Sequence, residues 1–312
     1  MEGKRLRVGV IGLGAMGKHH ARIYATLPGV DLVGLADIDE KASRSLAKTY
    51  GTKGFLSYQE LLEQGLDAVS IAVPTSLHRE ACLAAARAGA NVLVEKPIAD
   101  TIKKAEEMIE SCQKARVQLM VGHVERFNPV TSVVKKAMAN CEIISITITR
   151  LGPFPPRIRD VGVVLDLAIH DIDLARYLTG SEIKTIHSLF SRSDQDGHEN
   201  GALLSFEMSN GVLVQLTTNW LTPFKVREIN VAAREKYIRG WLQEQKVWEY
   251  KHWQEDGSYI VKELAVPFGE PLKLELEAFL ESLRRGEEVS TTGEEGLKAL
   301  AVALRCLGVT ES

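Results

Sequence analysis

The chain has 312 residues, 45% of them apolar and 25% charged, which is ample for a buried core and lacks the polar bias of a disordered chain. Its formal charge of −3 is spread over interspersed acids and bases with no long Lys/Arg run, so neither nucleic acid nor an anionic membrane surface is an expected partner, and a small molecule is. No stretch approaches the roughly 18 consecutive apolar residues of a membrane span. Met1 to Arg7 carries no signal-peptide pattern, and the four cysteines, Cys82, Cys112, Cys141 and Cys306, show no CxxC spacing, which predicts a cytoplasmic protein with reduced thiols.

Short β-branched runs alternate with helical patterns from Leu6 to about Gly122. Leu6 to Ile11, Asp31 to Ala36, Ala68 to Val73, Asn91 to Val94 and Gln118 to Val121 read as strands. Ser57 and Glu60 form a capping box for one helix, and Asp100 is placed to cap another that runs through Ile102, Ala105, Met108 and Ile109. This order predicts a parallel sheet covered by helices. After Pro129 and a helix ending near Asn140 the period changes. Ile144, Ile146 and Ile148 alternate with polar residues, and further strand-like runs follow at Ile183 to Phe190, Ala202 to Met208, Val212 to Asn219 and Ile229 to Ala232. A helical stretch, Leu165 to Leu178, stands among them, and helices at about Leu272 to Arg284 and Glu294 to Leu307 close the chain. The length fits two domains, 1–123 and 124–312, the second an α+β domain with a large, mainly antiparallel open sheet.

Gly12-Leu13-Gly14-Ala15-Met16-Gly17 is a GxGxxG that follows a strand and opens a helix. Gly12 serves the tight turn, Gly14 the approach of a pyrophosphate and Gly17 the packing of helix on strand, with the helix N-terminus facing the anion. Asp37 stands 20 residues beyond Gly17, where a carboxylate accepts from the adenosine ribose hydroxyls and repels a ribose 2′-phosphate. The predicted cofactor is therefore NAD, with NADP disfavoured; the alternative is that Asp37 or Asp39 caps the next helix. Val73-Pro74-Thr75-Ser76-Leu77-His78 and Glu95-Lys96-Pro97 follow two later strands at the sheet edge where doubly wound folds bind ligands. Val73, Pro74, His78, Glu95 and Lys96 join the candidate cofactor residues, and Pro97 is a site where a cis bond would fix the turn.

These motifs, with the segment Gly162 to Leu174 that carries Asp166, His170, Asp171 and Asp173, resemble the glucose–fructose oxidoreductase and inositol dehydrogenase (Gfo/Idh/MocA) family over essentially the whole chain. The resemblance implies a Rossmann domain, a second α+β domain that makes homodimers or homotetramers through its sheet, and a catalytic group of Lys96, Asp166 and His170. The chemistry of those residues agrees. Asp166 and His170 are four apart and share a helix face, histidine suits removal of a hydroxyl proton near neutral pH, and a lysine holds or polarises the reacting oxygen. Asp171 and Asp173 point elsewhere on that helix and are expected to be caps, packing groups or solvated carboxylates.

The segment His123 to Pro129, in which His123 replaces an asparagine common in the family, resembles the branch containing UDP-N-acetylglucosamine 3-dehydrogenases, as does Arg157 to Gly162. His123, Arg126, Arg157 and Arg159 are thus candidate substrate residues beside Lys96, Asp166 and His170, and Arg150 lies nearby in sequence; a diphosphate wants two or more guanidinium forks. Surface ion pairing is the alternative for these arginines. The expected substrate is a UDP-N-acetyl-amino sugar oxidised at C3. An inositol or free-sugar dehydrogenase, an NAD-dependent glycosidase and a non-catalytic NAD sensor are the other readings. No HExxH or cysteine–histidine spacing calls for a metal, and His19 and His20 read as packing or surface groups. Trp241, Trp248 and Trp253, with Tyr250, are expected either at a subunit interface or buried within the chain.

Overall fold

The computed structural model describes residues 5–154, 161–192 and 197–309. Its first part alternates strand and helix: β1 (Leu6–Ile11), α1 (Gly17–Tyr24), β2 (Val30–Ala36), α2 (Glu40–Tyr50), β3 (Lys53–Phe55), α3 (Tyr58–Leu62), β4 (Ala68–Ile71), α4 (His78–Arg87), β5 (Asn91–Glu95), α5 (Ile102–Ala115) and β6 (Leu119–Gly122). The strands form one parallel sheet in the order β3-β2-β1-β4-β5-β6. That is the doubly wound arrangement, and the order reverses between β1 and β4, which opens a crevice at their carboxyl ends. Strand β3, of three residues, carries no alternation and was not expected. The cap of α5 is Thr101, whose side chain accepts from Lys104 N at 3.3 Å, and not Asp100, which pairs with the Lys104 ammonium at 2.8 Å. Ser57 does cap α3, but its bonds go to Gln59 and not to Glu60.

The second part comprises α6 (Pro129–Met138), β7 (Ile143–Pro153), a π-helical turn Val164–Ala168 that continues into α7 (Ile169–Thr179), β8 (Ile183–Arg192), β9 (Glu199–Met208), β10 (Leu213–Asn219), β11 (Leu221–Ala233), β12 (Lys236–Trp241), β13 (Lys246–Lys251), β14 (Ile260–Leu264), α8 (Pro271–Arg285) and α9 (Gly293–Cys306). Eight strands make a sheet in the order β14-β13-β12-β11-β7-β10-β9-β8, antiparallel except for the β7–β10 pair. Alternation sorts its faces: Ile146, Ile148, Leu204, Leu216, Ile229 and Val231 are fully buried against α6 and α7, while Thr147, Thr149 and Ser205 point the other way. Strands β12 to β14 escaped the sequence reading because charged residues, Lys236, Glu249, Lys251 and Lys262, occupy inward positions beside Ile238 and Val247 and break the apolar alternation. Trp241, Trp248 and Tyr250 lie on the outer face, with the two indole rings 5.7 Å apart, and Trp253 is exposed beyond β13.

The chain divides into two compact units with a seam after His123, but the second unit does not run unbroken over 124–312. Leu272–Leu300 belongs to the first unit, and the second consists of Val124–Pro271 and the chain from Ala301 onward. The reason is pairing at the sheet edge: Val121 N donates to Thr291 O and Thr291 Oγ1 donates to Val121 O, both at 2.8 Å, and Gly296 sits against the Val121 side chain.

Candidate functional site

Strand β1 delivers the chain to the glycine loop. Gly12 has φ +86°, and a Cβ there would lie 2.7 Å from the Ala72 carbonyl, while a Cβ on Gly17 would lie 1.7 Å from Gly12 O. A Cβ on Gly14 would meet nothing within 4 Å. Two of the glycines are thus demanded by the protein's own backbone, and the third leaves open space where a pyrophosphate would approach. Leu13 turns its side chain inward, and Ala15 is exposed beside half-buried Met16 at the mouth of α1.

Asp37, at the end of β2, accepts from Leu13 N at 2.6 Å and from Asp39 N at 2.8 Å, so it braces the loop. Capping of α2 falls to Asp39, which accepts from Lys41 N and Ala42 N. A cavity of about 280 Å³ opens here, lined among others by Gly12, Gly14, Asp37, Ile38, Val73 and Pro74. Ile38 is 95% exposed, an apolar side chain held in the open at the rim of this cavity. Size, apolar rim and inward carboxylate fit the adenosine end of a dinucleotide.

His78 and Glu95, candidate cofactor residues, brace the turns that follow β4 and β5. The buried His78 ring has Nδ1 3.0 Å from Pro97 O and Nε2 3.0 Å from Val73 O, so it ties the ends of β4 and β5 together. Burial lowers its pKa and outweighs the opposite effect of those carbonyls. Glu95 Oε1 lies 3.0 Å from His20 Nε2, His20 Nδ1 lies 3.1 Å from Ser70 Oγ, and Tyr24 OH lies 2.8 Å from the same hydroxyl. Burial works to raise the Glu95 carboxyl, but the His20 hydrogen bond and the charges of His20, Lys96 and His78 prevail and hold it below the ordinary value. His20 is therefore a buried partner of Glu95, a role its sequence position did not signal, whereas His19 is exposed. Lys96 follows at the strand end, half-buried, and its bond to Pro97 is cis.

In the second unit Asp166 sits on the π-helical turn, 7% exposed, and the half-buried His170 follows in the first turn of α7. Single π turns recur at functional sites. No side chain of the turn's own N-terminus caps it. Glu199 reaches over from β9 to accept from Val164 N at 3.1 Å, and its carboxylate fills the space where Gly162 would carry a Cβ.

The arginines require a correction. Arg126 clamps Asp173 through Nε at 2.7 Å and Nη2 at 2.5 Å, with both side chains buried. Arg150 donates to Asp171 at 2.8 Å and to Glu125 at 2.8 Å, and is 4% exposed. Neither fork is open to a substrate, and Asp171 and Asp173 are neither solvated nor caps but the buried anions that neutralise these arginines. Burial holds the Asp171 carboxyl above its ordinary value in spite of Arg150. Arg157 and Arg159 lie outside the described residues. His123 is 1% exposed at the end of β6, where its main-chain N–H donates to Val121 O at 2.7 Å. An arginine missed by the sequence reading, Arg227, shares the inward parity of Ile229 and Val231 on β11, and that alternation was the signal for it. Among the described residues no group of three His, Cys, Asp or Glu could hold a metal ion, and no helix is long and apolar enough to cross a membrane.

Residues 6–123 match an oxidoreductase family with an NAD-binding Rossmann fold, GFO_IDH_MocA, and residues 141–239 match the GFO/IDH/MocA C-terminal domain. Among curated relatives, the UDP-N-acetylglucosamine 3-dehydrogenase of Acidithiobacillus ferrooxidans is 29% identical, over 96% of this chain and 96% of its own. Inositol 2-dehydrogenase 4 of Saccharopolyspora erythraea is 31% identical over 69% of this chain and 67% of its own. The solved structure of the Acidithiobacillus ferrooxidans enzyme superposes with a TM-score of 0.91, covering 98% of this chain and 97% of that one at 27% identity.

Proposed function

Because the chain belongs to the Gfo/Idh/MocA oxidoreductase family, we propose that it is an NAD-dependent dehydrogenase of a secondary sugar hydroxyl, with C3 of a UDP-N-acetyl-amino sugar as its target. The observation that carries the cofactor assignment is the open Gly14 beside the Asp37 cavity. Bound there, the nicotinamide cofactor supplies the acceptor for the hydride. The carboxylate of Asp37 favours NAD, since it repels a 2′-phosphate. His170 takes the hydroxyl proton, Asp166 orients the imidazole or bonds a substrate hydroxyl, and Lys96 holds and polarises the reacting oxygen. The sugar-nucleotide reading draws on likeness to the Acidithiobacillus enzyme along nearly the full length of both chains. An inositol or free-sugar dehydrogenase is the second reading, favoured by the occupied forks of Arg126 and Arg150.

Purified protein mixed with NAD, a carbonyl trap and, separately, UDP-N-acetylglucosamine, N-acetylglucosamine or myo-inositol tests this. The expected result is nicotinamide reduction with loss of two hydrogens from the UDP-sugar. Reaction with myo-inositol alone would overturn the substrate, and NAD binding without turnover of any of them would overturn the dehydrogenase. Lys96→Met and His170→Ala should keep NAD binding and lower turnover by about 10²–10⁴; wild-type rates in both would sink the catalytic assignment. The reading also places the protein in the cytoplasm, where its four free thiols stay reduced. It pairs the chain with a second copy across the outer sheet face, where Leu189, Leu203 and Leu213 are exposed.

A further inference from the structure

Arg227 on β11 stands directly opposite Arg150 on β7, and both rise from the inner face of the sheet. Their surroundings differ. Arg150 lies between the carboxylates of Glu125 and Asp171. Among the described residues Arg227 meets main-chain oxygens: Nη1 donates to Val226 O at 2.7 Å and to Leu151 O. Among the described residues no carboxylate forms an ion pair with it, and none supplies an acceptor to its Nε or Nη2. Burial, together with the like charge of Arg150, pulls this guanidinium down to about 10, against the opposite pull of Asp171, Glu125 and Asp166. A half-buried fork with two donors unspent gains from an incoming anion more than a solvated one does, because a charge-assisted pair strengthens as water is excluded.

The neighbouring backbone is irregular on the same strand. Leu221 pairs with Pro153 and Val226 with Leu151, so Thr222–Lys225 bulges opposite Gly152. Bulges of this kind re-aim side chains beside active sites. This one leaves Phe224 62% exposed and Lys225 exposed against Gly152, and half-exposed Phe154, which follows the Pro153 paired with Leu221, packs its ring edge to face on Trp220 at 5.4 Å. An open arginine fork, a lysine and two exposed aromatic rings suit a phosphorylated group that carries a flat heterocycle. A free polyol offers neither feature.

We propose that Arg227, beside the bulge Thr222–Lys225, takes the phosphoryl oxygens of a nucleoside diphosphate sugar, the task that Arg126 and Arg150 cannot perform. This subsite rests on the sugar-nucleotide reading, and its test separates the two. UDP is titrated calorimetrically into the full-length, NAD-loaded wild type, Arg227→Met and Arg227→Lys, with uridine and inorganic phosphate as separate arms and thermal melts to check folding. UDP should bind about ten- to hundredfold more weakly to Arg227→Met, in line with loss of a charge-assisted pair. Arg227→Lys should recover part of that loss, and uridine affinity should be indifferent to either change. In turnover, the KM for UDP-N-acetylglucosamine should rise while kcat holds. If Arg227→Met melts early, the Lys variant alone decides: it keeps the charge and loses the fork, so undiminished UDP binding counts against the subsite. Equal UDP affinity in all three proteins, or none in the wild type, overturns it. If UDP binding depends on Arg227 but the UDP-sugar is not oxidised, the reaction falls and the subsite stands. Oxidation with an unchanged KM in Arg227→Met leaves the reaction standing and removes the subsite.

Discussion

Gly14 and Gly17 stand three residues apart in one loop, yet a methyl group means different things at each. At Gly17 it would sit 1.7 Å from the main-chain oxygen of Gly12, which no side-chain adjustment relieves. At Gly14 it would point into open space at an ordinary negative φ. Gly17→Ala is therefore expected to lose about 1–3 kcal/mol of stability or more and its NAD affinity with it. Gly14→Ala should melt with the wild type and lose NAD affinity alone. Thermal melts paired with NAD titrations check this, and equal melting losses in the two variants, or undiminished NAD binding by Gly14→Ala, would contradict the reading. The arginines carry the opposite lesson at the same scale. A charge is visible in sequence but its partner is not: Asp173 lies 47 residues from Arg126 and Asp171 lies 21 from Arg150. The placement of α7 against β7 and against the turn Val124–Phe127 decides that these forks are occupied, while among the described residues no carboxylate fills the one on Arg227.

At the scale of elements, the turn that bears Asp166 is built by residues outside it. Glu199 accepts from Val164 N and takes up the room left by the missing side chain of Gly162. A carboxylate at a helix N-terminus also meets the positive end of the dipole. Glu199→Gln keeps an acceptor for Val164 N and should keep most activity. Glu199→Ala leaves that buried donor unmatched, with an expected loss of about 1–3 kcal/mol and a fall in kcat with NAD affinity retained. Gly162→Ala should do the same, because its Cβ would lie 2.1 Å from the Glu199 carboxyl carbon. Melting temperatures and steady-state kinetics on the three variants distinguish this from a passive loop, in which Gln and Ala at 199 would behave alike. The helix itself was legible, since apolar spacing over Leu165 to Leu178 marks it, but spacing does not separate a π turn from an α turn, and the cap comes from β9. Likewise alternation exposed β7 to β11, while charges at inward positions of β12 to β14 hid them, and the glycine loop was readable because its turn is written in consecutive residues.

At the scale of the whole molecule, the chain does not respect its own linear order. A sequence shows where one periodicity gives way to another, which locates the seam after His123, but it cannot show that Leu272–Leu300 returns to the first unit. The return has a physical motive. Strand β6 ends the parallel sheet, and an uncovered edge strand recruits other chains. Thr291 and Thr292 occupy that edge, bridging to Val121 and Met120, while Leu276, Phe279 and Leu280 of α8 bury their side chains and Arg284 reaches Gly29 O at 3.1 Å. The dinucleotide-binding unit is thus assembled from two distant stretches. A fragment of residues 1–123 should consequently aggregate or melt without cooperativity, because β6 keeps an open edge and Leu119 and Val121 lose the cover of Gly293 and Gly296. Joining 272–300 to that fragment through a flexible Gly/Ser linker should give a monomer with a cooperative melt and measurable NAD binding. Size-exclusion chromatography, thermal melts and NAD titration on the two fragments make the comparison. A monomeric, cooperatively melting 1–123 with the NAD affinity of the full chain would mean that the returning segment is an ornament on a unit already complete.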